Sequence, residues 1–338
     1  MGNKLGIGVI GLGRLGSAYA KYFSGRIAGA RLVAVSDVNA AAAASLAAEL
    51  SVGKRYDKYQ ELIADKEVEA VVIVSPTSTH QEIVLEAAKQ GKAIFCEKPL
   101  SISLEPARAM LRAVEETGVF FQMGFMRRFD KGYLAAKQKL EAGEIGKPVV
   151  FKSSSRDPYR PSLEYLDPAH SGGLFIDCGI HDLDLARWFM GEIASVYSIA
   201  GTLAYPEMKE IGDVDNAITS LYFKSGALGT IDLSRNGVYG YDIRTEILGT
   251  EGTLKIGYLR ETPILVMTKH GITHDTVPYF TERFEQAYIT QLQDFVENLA
   301  SGKPPGVTCA DGVAALEASV AATLSFKENR PVNVAEAR

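Results

Sequence analysis

Asp177, His181 and Asp184 are spaced so that one helix face could hold an imidazole between two carboxylates. If the stretch from Leu174 to Met190 is helical, positions i, i+4 and i+7 are neighbours. A carboxylate beside a histidine fixes its tautomer and raises its proton affinity, which suits a general base working near neutral pH. The same pattern also serves as a purely structural hydrogen-bond network, or as a metal site. No metal is expected here, because Lys98 in Glu97-Lys98-Pro99 can supply a positive charge, although a lone lysine can equally be solvated.

A second group of residues points to a dinucleotide. Gly11-Leu12-Gly13-Arg14-Leu15-Gly16 follows the apolar run Leu5 to Ile10 and precedes a helical pattern at Ser17 to Phe23. Glycines in such a turn let the backbone approach a pyrophosphate, which then sits at the positive end of the helix. An acid that receives a ribose diol belongs about 20 residues further on, and Asp37 stands there. Val38 beside it offers no cation for a 2′-phosphate, so NAD is expected over NADP. Ser75-Pro76-Thr77, with His80 after it, and Glu97-Lys98 follow two further strand-like runs. Both places are carboxyl ends of expected parallel strands, where open α/β sheets bind ligands.

The elements that must position these residues divide the chain in two. Up to about Gln122, short β-branched runs alternate with helical stretches and read as βαβ units. Beyond that, the runs at Val149–Ser153, Val196–Ala200, Ile218–Phe223, Ala227–Leu233, Ile243–Leu248 and Thr253–Ile256 follow one another with mostly short links, as in an antiparallel or mixed sheet. Helical patterns at Tyr133–Ala142, Thr281–Leu299 and Asp311–Phe326 make this half α+β. The expectation is an α/β dinucleotide-binding domain over 1–122 and an α+β domain over 123–338, built on an open, mainly antiparallel sheet. The length of 338 residues agrees with two cores.

Composition narrows the function classes. The chain is 46% hydrophobic and 23% charged, which is ordinary for a globular protein. A net charge of -5 without a basic tract argues against nucleic acid or an anionic membrane as partner. The longest apolar stretches, such as Ala70 to Val74, fall short of a membrane span. Met1 to Gly13 carries no leader pattern, and Gly6 stands where a myristoylation signal requires Ser or Thr. Cys96, Cys178 and Cys309 suggest neither disulfides nor zinc, so a reducing cytoplasm is expected. His270 and His274 are read as surface residues of a strand pair, and His170 as a possible neighbour of the site.

Taken together, the glycine motif, Glu97-Lys98-Pro99, and Gly172-Gly173 followed by Asp177, His181-Asp182 and Asp184 resemble the glucose-fructose oxidoreductase and inositol dehydrogenase family. The resemblance covers nearly the whole chain. It implies a Rossmann domain, a second domain whose open sheet mediates homotetramers, and a substrate pocket lined by Lys98, Asp177 and His181. Gly124-Phe125-Met126-Arg127-Arg128-Phe129-Asp130, Ser155-Arg156-Asp157-Pro158 and Val238-Tyr239-Gly240-Tyr241-Asp242 look like its inositol 2-dehydrogenase branch. That likeness implies that Arg127, Asp157, Asp177, Asp184 and Tyr239 meet substrate hydroxyls, that Met126 also lines the substrate site, and that a cyclic polyol, myo- or scyllo-inositol, is oxidised to an inosose. The stretch from Tyr159 to His170 is longer and richer in aromatics than that pattern. An aldose dehydrogenase, an NAD-dependent glycosidase and a non-catalytic NAD-binding regulator are the rivals. The last should lack the lysine or the histidine, and both are present.

Overall fold

The computed structural model describes residues 4–337; the myristoylation reading at Gly2 lies outside them. In chain order the first elements are β1 (Leu5–Ile10), α1 (Arg14–Gly25), β2 (Ala30–Ser36), α2 (Ala40–Glu49), β3 (Lys54–Tyr56), α3 (Tyr59–Ala64), β4 (Ala70–Ile73), α4 (His80–Lys89), β5 (Ala93–Glu97), α5 (Leu104–Thr117) and β6 (Phe121–Gly124). The strands form one parallel sheet in the order β3-β2-β1-β4-β5-β6. Runs such as Ala70–Ile73 are buried throughout, as strands covered on both faces must be. The order reverses direction at β1, so the ends of β1 and β4 flank the switch point at which open α/β sheets bind ligands.

The following elements are α6 (Lys131–Glu141), β7 (Pro148–Arg156), α7 (Leu163–Leu166), α8 (Pro168–Ser171), α9 (Leu174–Asp177), α10 (Ile180–Met190), β8 (Ile193–Gly201), β9 (Asn216–Phe223), β10 (Leu228–Ser234), β11 (Asp242–Gly249), β12 (Thr253–Ile256), β13 (Val266–Thr268), β14 (Gly271–Thr273), α11 (Phe280–Ser301), α12 (Cys309–Glu328) and β15 (Val332–Asn333). Seven strands form a mixed sheet in the order β12-β11-β7-β10-β9-β8-β15, antiparallel except for the parallel pair β7 and β10. One face is buried, with Phe151, Ile231, Leu233, Ile243 and Ile247 inward. On the other face Ile199 pairs with Ile218, and Tyr222 with Leu228, and all four are exposed. His270 and His274 lie on the exposed β13–β14 hairpin and just after it.

Two compact units result: one runs to Phe125 and takes in Tyr288–Ala314, and the other holds Met126–Ala287 with the chain from Ala315 on. A division at residue 122 alone therefore leaves out residues 288–314. Aromatic packing explains their place: Phe295 meets Phe95 at 5.8 Å and Phe120 at 5.6 Å between ring centroids. The helix α12 is long and apolar enough by composition to cross a membrane, a length that a search for unbroken apolar runs misses. Most of that stretch is buried within the protein, as in a core helix.

Candidate active site

In the first unit the glycine turn has the geometry that its spacing suggests. Gly11 adopts φ +88°, and a Cβ there would lie 2.5 Å from the Ser75 nitrogen; a Cβ on Gly16 would lie 1.9 Å from the Gly11 carbonyl oxygen. Only glycine allows the turn to pass so close to the end of β4 and to the helix start. Gly13 caps α1 without any side chain to satisfy the first N–H groups, and the space beside its Cα is open. Those amides are the donors a pyrophosphate would take, and Arg14 and Leu15 begin the helix that presents them. Asp37 lies at the end of β2, where its Oδ2 accepts from the Leu12 amide at 2.6 Å and its Oδ1 from the Asn39 amide at 2.8 Å. Val38, the next residue, is 96% exposed and itself carries no charge. The residues present fit NAD.

Two buried polar groups brace the neighbouring strand ends. His80, at 1% exposure, sets Nδ1 3.0 Å from the Pro99 carbonyl oxygen and Nε2 3.0 Å from the Ser75 carbonyl oxygen. It ties the loop after β4 to the loop after β5. Its ring is enclosed and both nitrogens face backbone carbonyls. Burial pushes its pKa down. Glu97 is buried too, and accepts from the Lys98 amide at 3.1 Å, from the Tyr19 hydroxyl, and from Gln291 Nε2 at 3.4 Å. Its carboxyl is held above the usual range by burial. Glu97 thereby braces the backbone at Lys98. Lys98 itself is half-buried at the end of β5, and Ser75, Pro76 and Thr77 occupy the end of β4.

The second unit joins Asp157 and Asp177 through a residue that the sequence reading missed, Arg235, with His181 four residues beyond Asp177. Parallel pairing of β7 with β10 brings Asp157 and Arg235 out at the same end of the sheet, where the Asp157 amide donates to the Ser234 carbonyl at 2.8 Å. Arg235 Nη2 lies 2.9 Å from Asp177 Oδ2, and Nη1 lies 3.7 Å from Asp157 Oδ2. The Cys178 thiol stands 3.5 Å from Asp157 Oδ2. Burial raises the Asp157 pKa, with the Arg235 cation opposing and the Asp177 charge adding to it. Asp177 closes α9, and His181 lies in the first turn of α10; the expected single helix is interrupted at Cys178-Gly179, although Leu183 N–H still reaches the Gly179 carbonyl at 3.0 Å. His170 is exposed on α8.

Three expected substrate contacts already have partners within the protein. Asp184 is 1% exposed, and its carboxylate receives Arg128 Nε at 2.9 Å and Nη2 at 2.5 Å. A buried carboxylate gripped by a guanidinium fork anchors α10 to the Met126–Phe129 turn. Arg127 is likewise enclosed, with Nη1 2.9 Å from Asp182 Oδ1 and 3.0 Å from Ser155 Oγ. Asp182, which the sequence analysis named without a role, also accepts from Ser153 and Ser155 and so pins α10 to the inner face of β7. The Tyr239 hydroxyl donates to Asp242 Oδ2 at 2.7 Å and accepts from Arg156 Nη1 at 3.1 Å. Arg156 alternates with inward Ser155, so that hydroxyl lies towards the exposed face of the sheet. Met126 is buried in the turn. Among the described residues no cluster of His, Cys, Asp and Glu could hold a metal ion.

Comparison with known proteins adds a family. Residues 5–125 match the oxidoreductase family model for an NAD-binding Rossmann fold, and residues 137–334 match the same family's C-terminal alpha/beta domain. The chain is 46% identical over 327 residues to the scyllo-inositol 2-dehydrogenase (NAD(+)) of Bacillus subtilis, covering 96% of this chain and 95% of that one. It is 42% identical over 332 residues to the myo-inositol 2-dehydrogenase of Thermotoga maritima, covering 98% of each. Among solved structures, the scyllo-inositol dehydrogenase of Lactobacillus casei with bound NAD(H) and scyllo-inositol superposes with a TM-score of 0.93 at 33% identity, covering 98% of this chain and 99% of that one.

Proposed function

The chain belongs to the oxidoreductase family whose Rossmann and alpha/beta domain models together span it, and from that membership we propose that it is an NAD-dependent inositol 2-dehydrogenase. The observation that carries the reading is the pair of half-buried carboxylates Asp157 and Asp177 joined by Arg235, with His181 four residues beyond Asp177, a set of donors and acceptors suited to a ring that bears only hydroxyls. Such a site rejects analogues that leave its polar groups unpaired.

NAD, when bound, supplies the hydride acceptor. His181 takes the proton from the secondary hydroxyl, and Asp177, four residues before it, favours the imidazolium that results. Lys98 stabilises the alkoxide as it forms, with its backbone held by Glu97. Asp157 accepts a neighbouring hydroxyl. Asp37 holds the adenosine ribose, and the amides that open α1 hold the pyrophosphate. The substrate is scyllo- or myo-inositol, and the product is an inosose.

The protein assembles as a homotetramer through the exposed face that carries Ile199, Ile218, Tyr222 and Leu228, since an apolar sheet face is stabilised by burial. Three free cysteines accord with a reducing cytoplasm. The test is NADH formation across inositol isomers, aldohexoses and acyclic polyols. Turnover of an inositol supports the reading; turnover of aldoses alone overturns it.

A further inference from the structure

Asp177 closes a helix of a single turn, so its carboxylate is placed by whatever holds the two ends of that turn. Within α9 the Asp177 and Ile176 amides donate to the Gly173 carbonyl at 2.9 and 3.1 Å. Four residues rise only about 6 Å, and so short a helix is not stable by itself, because nucleation is unfavourable. The start of α9 is bound from outside: the Leu174 amide donates to Asp213 Oδ1 at 3.2 Å. Gly173, which caps α9, has no side chain to serve that amide; it adopts φ +80°, and a Cβ there would lie 3.0 Å from the same Asp213 oxygen. The other end is bound by Arg235, whose Nη2 lies 2.9 Å from Asp177 Oδ2.

Both grips are organised by one loop. The chain between β8 and β9 carries Asp213 and Asp215, and the Arg235 amide, just after β10, donates to the Asp215 carbonyl at 2.9 Å. Asp215 is buried, and its carboxylate accepts the amides of Leu203, Ala204 and Tyr205 at 2.8, 2.9 and 2.6 Å, which fixes the loop that bears Asp213. Asp213 is buried as well; burial pushes its carboxyl up, and the Val214 and Leu174 amides oppose that shift. A carboxylate is costly in so enclosed a place, and the Leu174 amide that this one holds lies three residues before Asp177.

We infer that Asp213 is a positioning residue for the oxidation: by holding the Leu174 amide it sets the start of α9, and with it the place of the Asp177 carboxylate. The inference rests on the dehydrogenase reading above, in which Asp177 lies in the substrate site. Asp213 touches neither substrate nor cofactor in this role, and Asp215 supports it by fixing the loop and the backbone of Arg235. A misplacement of about 1 Å at a reacting group can cost roughly 100-fold in rate. Loss of the bond to Leu174 therefore reads out as lost turnover of the polyol, with cofactor binding intact.

The experiment is a double-mutant cycle on kcat/KM for the inositol isomer that the wild type oxidises fastest, in the full-length enzyme with saturating NAD. Its members are wild type, Asp213→Ala, Asp177→Asn and the two substitutions combined, with Asp213→Asn as the conservative variant. Asp213→Ala should lose about 10- to 100-fold, with the Kd for NAD unchanged in a fluorescence titration. Asp213→Asn should recover most of that loss, since its amide oxygen can accept the same N–H. In the Asp177→Asn background, removal of Asp213 should cost less than about 3-fold, because residues that act through one another are not additive. Equal losses in both backgrounds, wild-type kinetics in Asp213→Ala, or an Asp213→Asn variant no better than Asp213→Ala each overturn the inference. If Asp213→Ala does not fold, Asp213→Ser takes its place in the cycle and the same outcomes decide. A wild type that oxidises no inositol removes the dehydrogenase reading and this inference with it, whereas an active wild type with additive losses removes this inference only.

Discussion

The Leu12 amide donates a 2.6 Å hydrogen bond to Oδ2 of Asp37, so the acid at the end of β2 is tied to the glycine turn at the end of β1. That bond fixes the carboxylate where an adenosine ribose would present its diol, and Val38 beside it carries no charge. Replacement of Asp37 by Ser together with Val38→Arg should lower kcat/KM for NAD by roughly 10- to 100-fold, since a hydrogen bond to a charged group contributes about 1.5–3 kcal/mol. The ratio of kcat/KM for NAD and NADP measures it. An unchanged ratio would release Asp37 from this role.

His181→Ala should bind NAD as the wild type does and turn over about 100- to 10,000-fold more slowly, the usual cost of removing a positioned base. Stopped-flow and steady-state rates with NAD titration separate the two effects. Wild-type kcat with an unaltered pH profile would make the histidine structural.

Asp184 and Arg128 answer to stability. Asp184→Ala leaves a buried guanidinium without its carboxylate and should cost about 3–5 kcal/mol, seen as a lowered Tm. Replacement of both members by well-packed apolar residues should recover most of the loss. If Tm holds while KM for the polyol rises, Asp184 meets substrate after all.

His80 predicts an acid-labile first unit. Its folded pKa is depressed by burial, so the unfolded state binds the proton first as pH falls below about 6.5. The stability it contributes is therefore present above that pH and is lost as pH drops towards the folded value. Thermal unfolding of wild type and His80→Gln between about pH 8 and about pH 5 should show the wild type losing more of its Tm. Parallel slopes would contradict the assignment.

Assembly is checked on the exposed sheet face. If the proposed tetramer forms through this face, Ile218→Lys with Tyr222→Lys should yield smaller species in light scattering while the fold persists by circular dichroism, because each charge would enter an apolar interface. A wild-type monomer at micromolar concentration would contradict the tetramer itself.

Local patterns made part of this legible from sequence alone. The glycine turn, Asp37 and the strand ends at Ser75 and Glu97 follow from spacing along the chain, because a βαβ unit places successive strand ends on one edge of the sheet. The D-x-x-x-H spacing likewise sets Asp177 four residues before His181. Pairings that depend on strand order were not legible. Arg235 meets Asp157 only because β7 and β10 pair in parallel, and Arg128 meets Asp184 across 56 residues. Periodicity also could not reveal the break at Cys178-Gly179, since Gly179 keeps right-handed helical angles and only the hydrogen-bond ladder changes. Gln291 reaches Tyr19 and Glu97 from a helix whose periodicity shows only an apolar stripe.

The central claim is tested most directly by incubating the wild-type enzyme with NAD and scyllo- or myo-inositol and measuring NADH and inosose together. The account predicts the two products in equal amounts with at least one of the isomers. Absence of NADH with every inositol, while an aldose is oxidised or a glycoside is cleaved without net NADH, would contradict it.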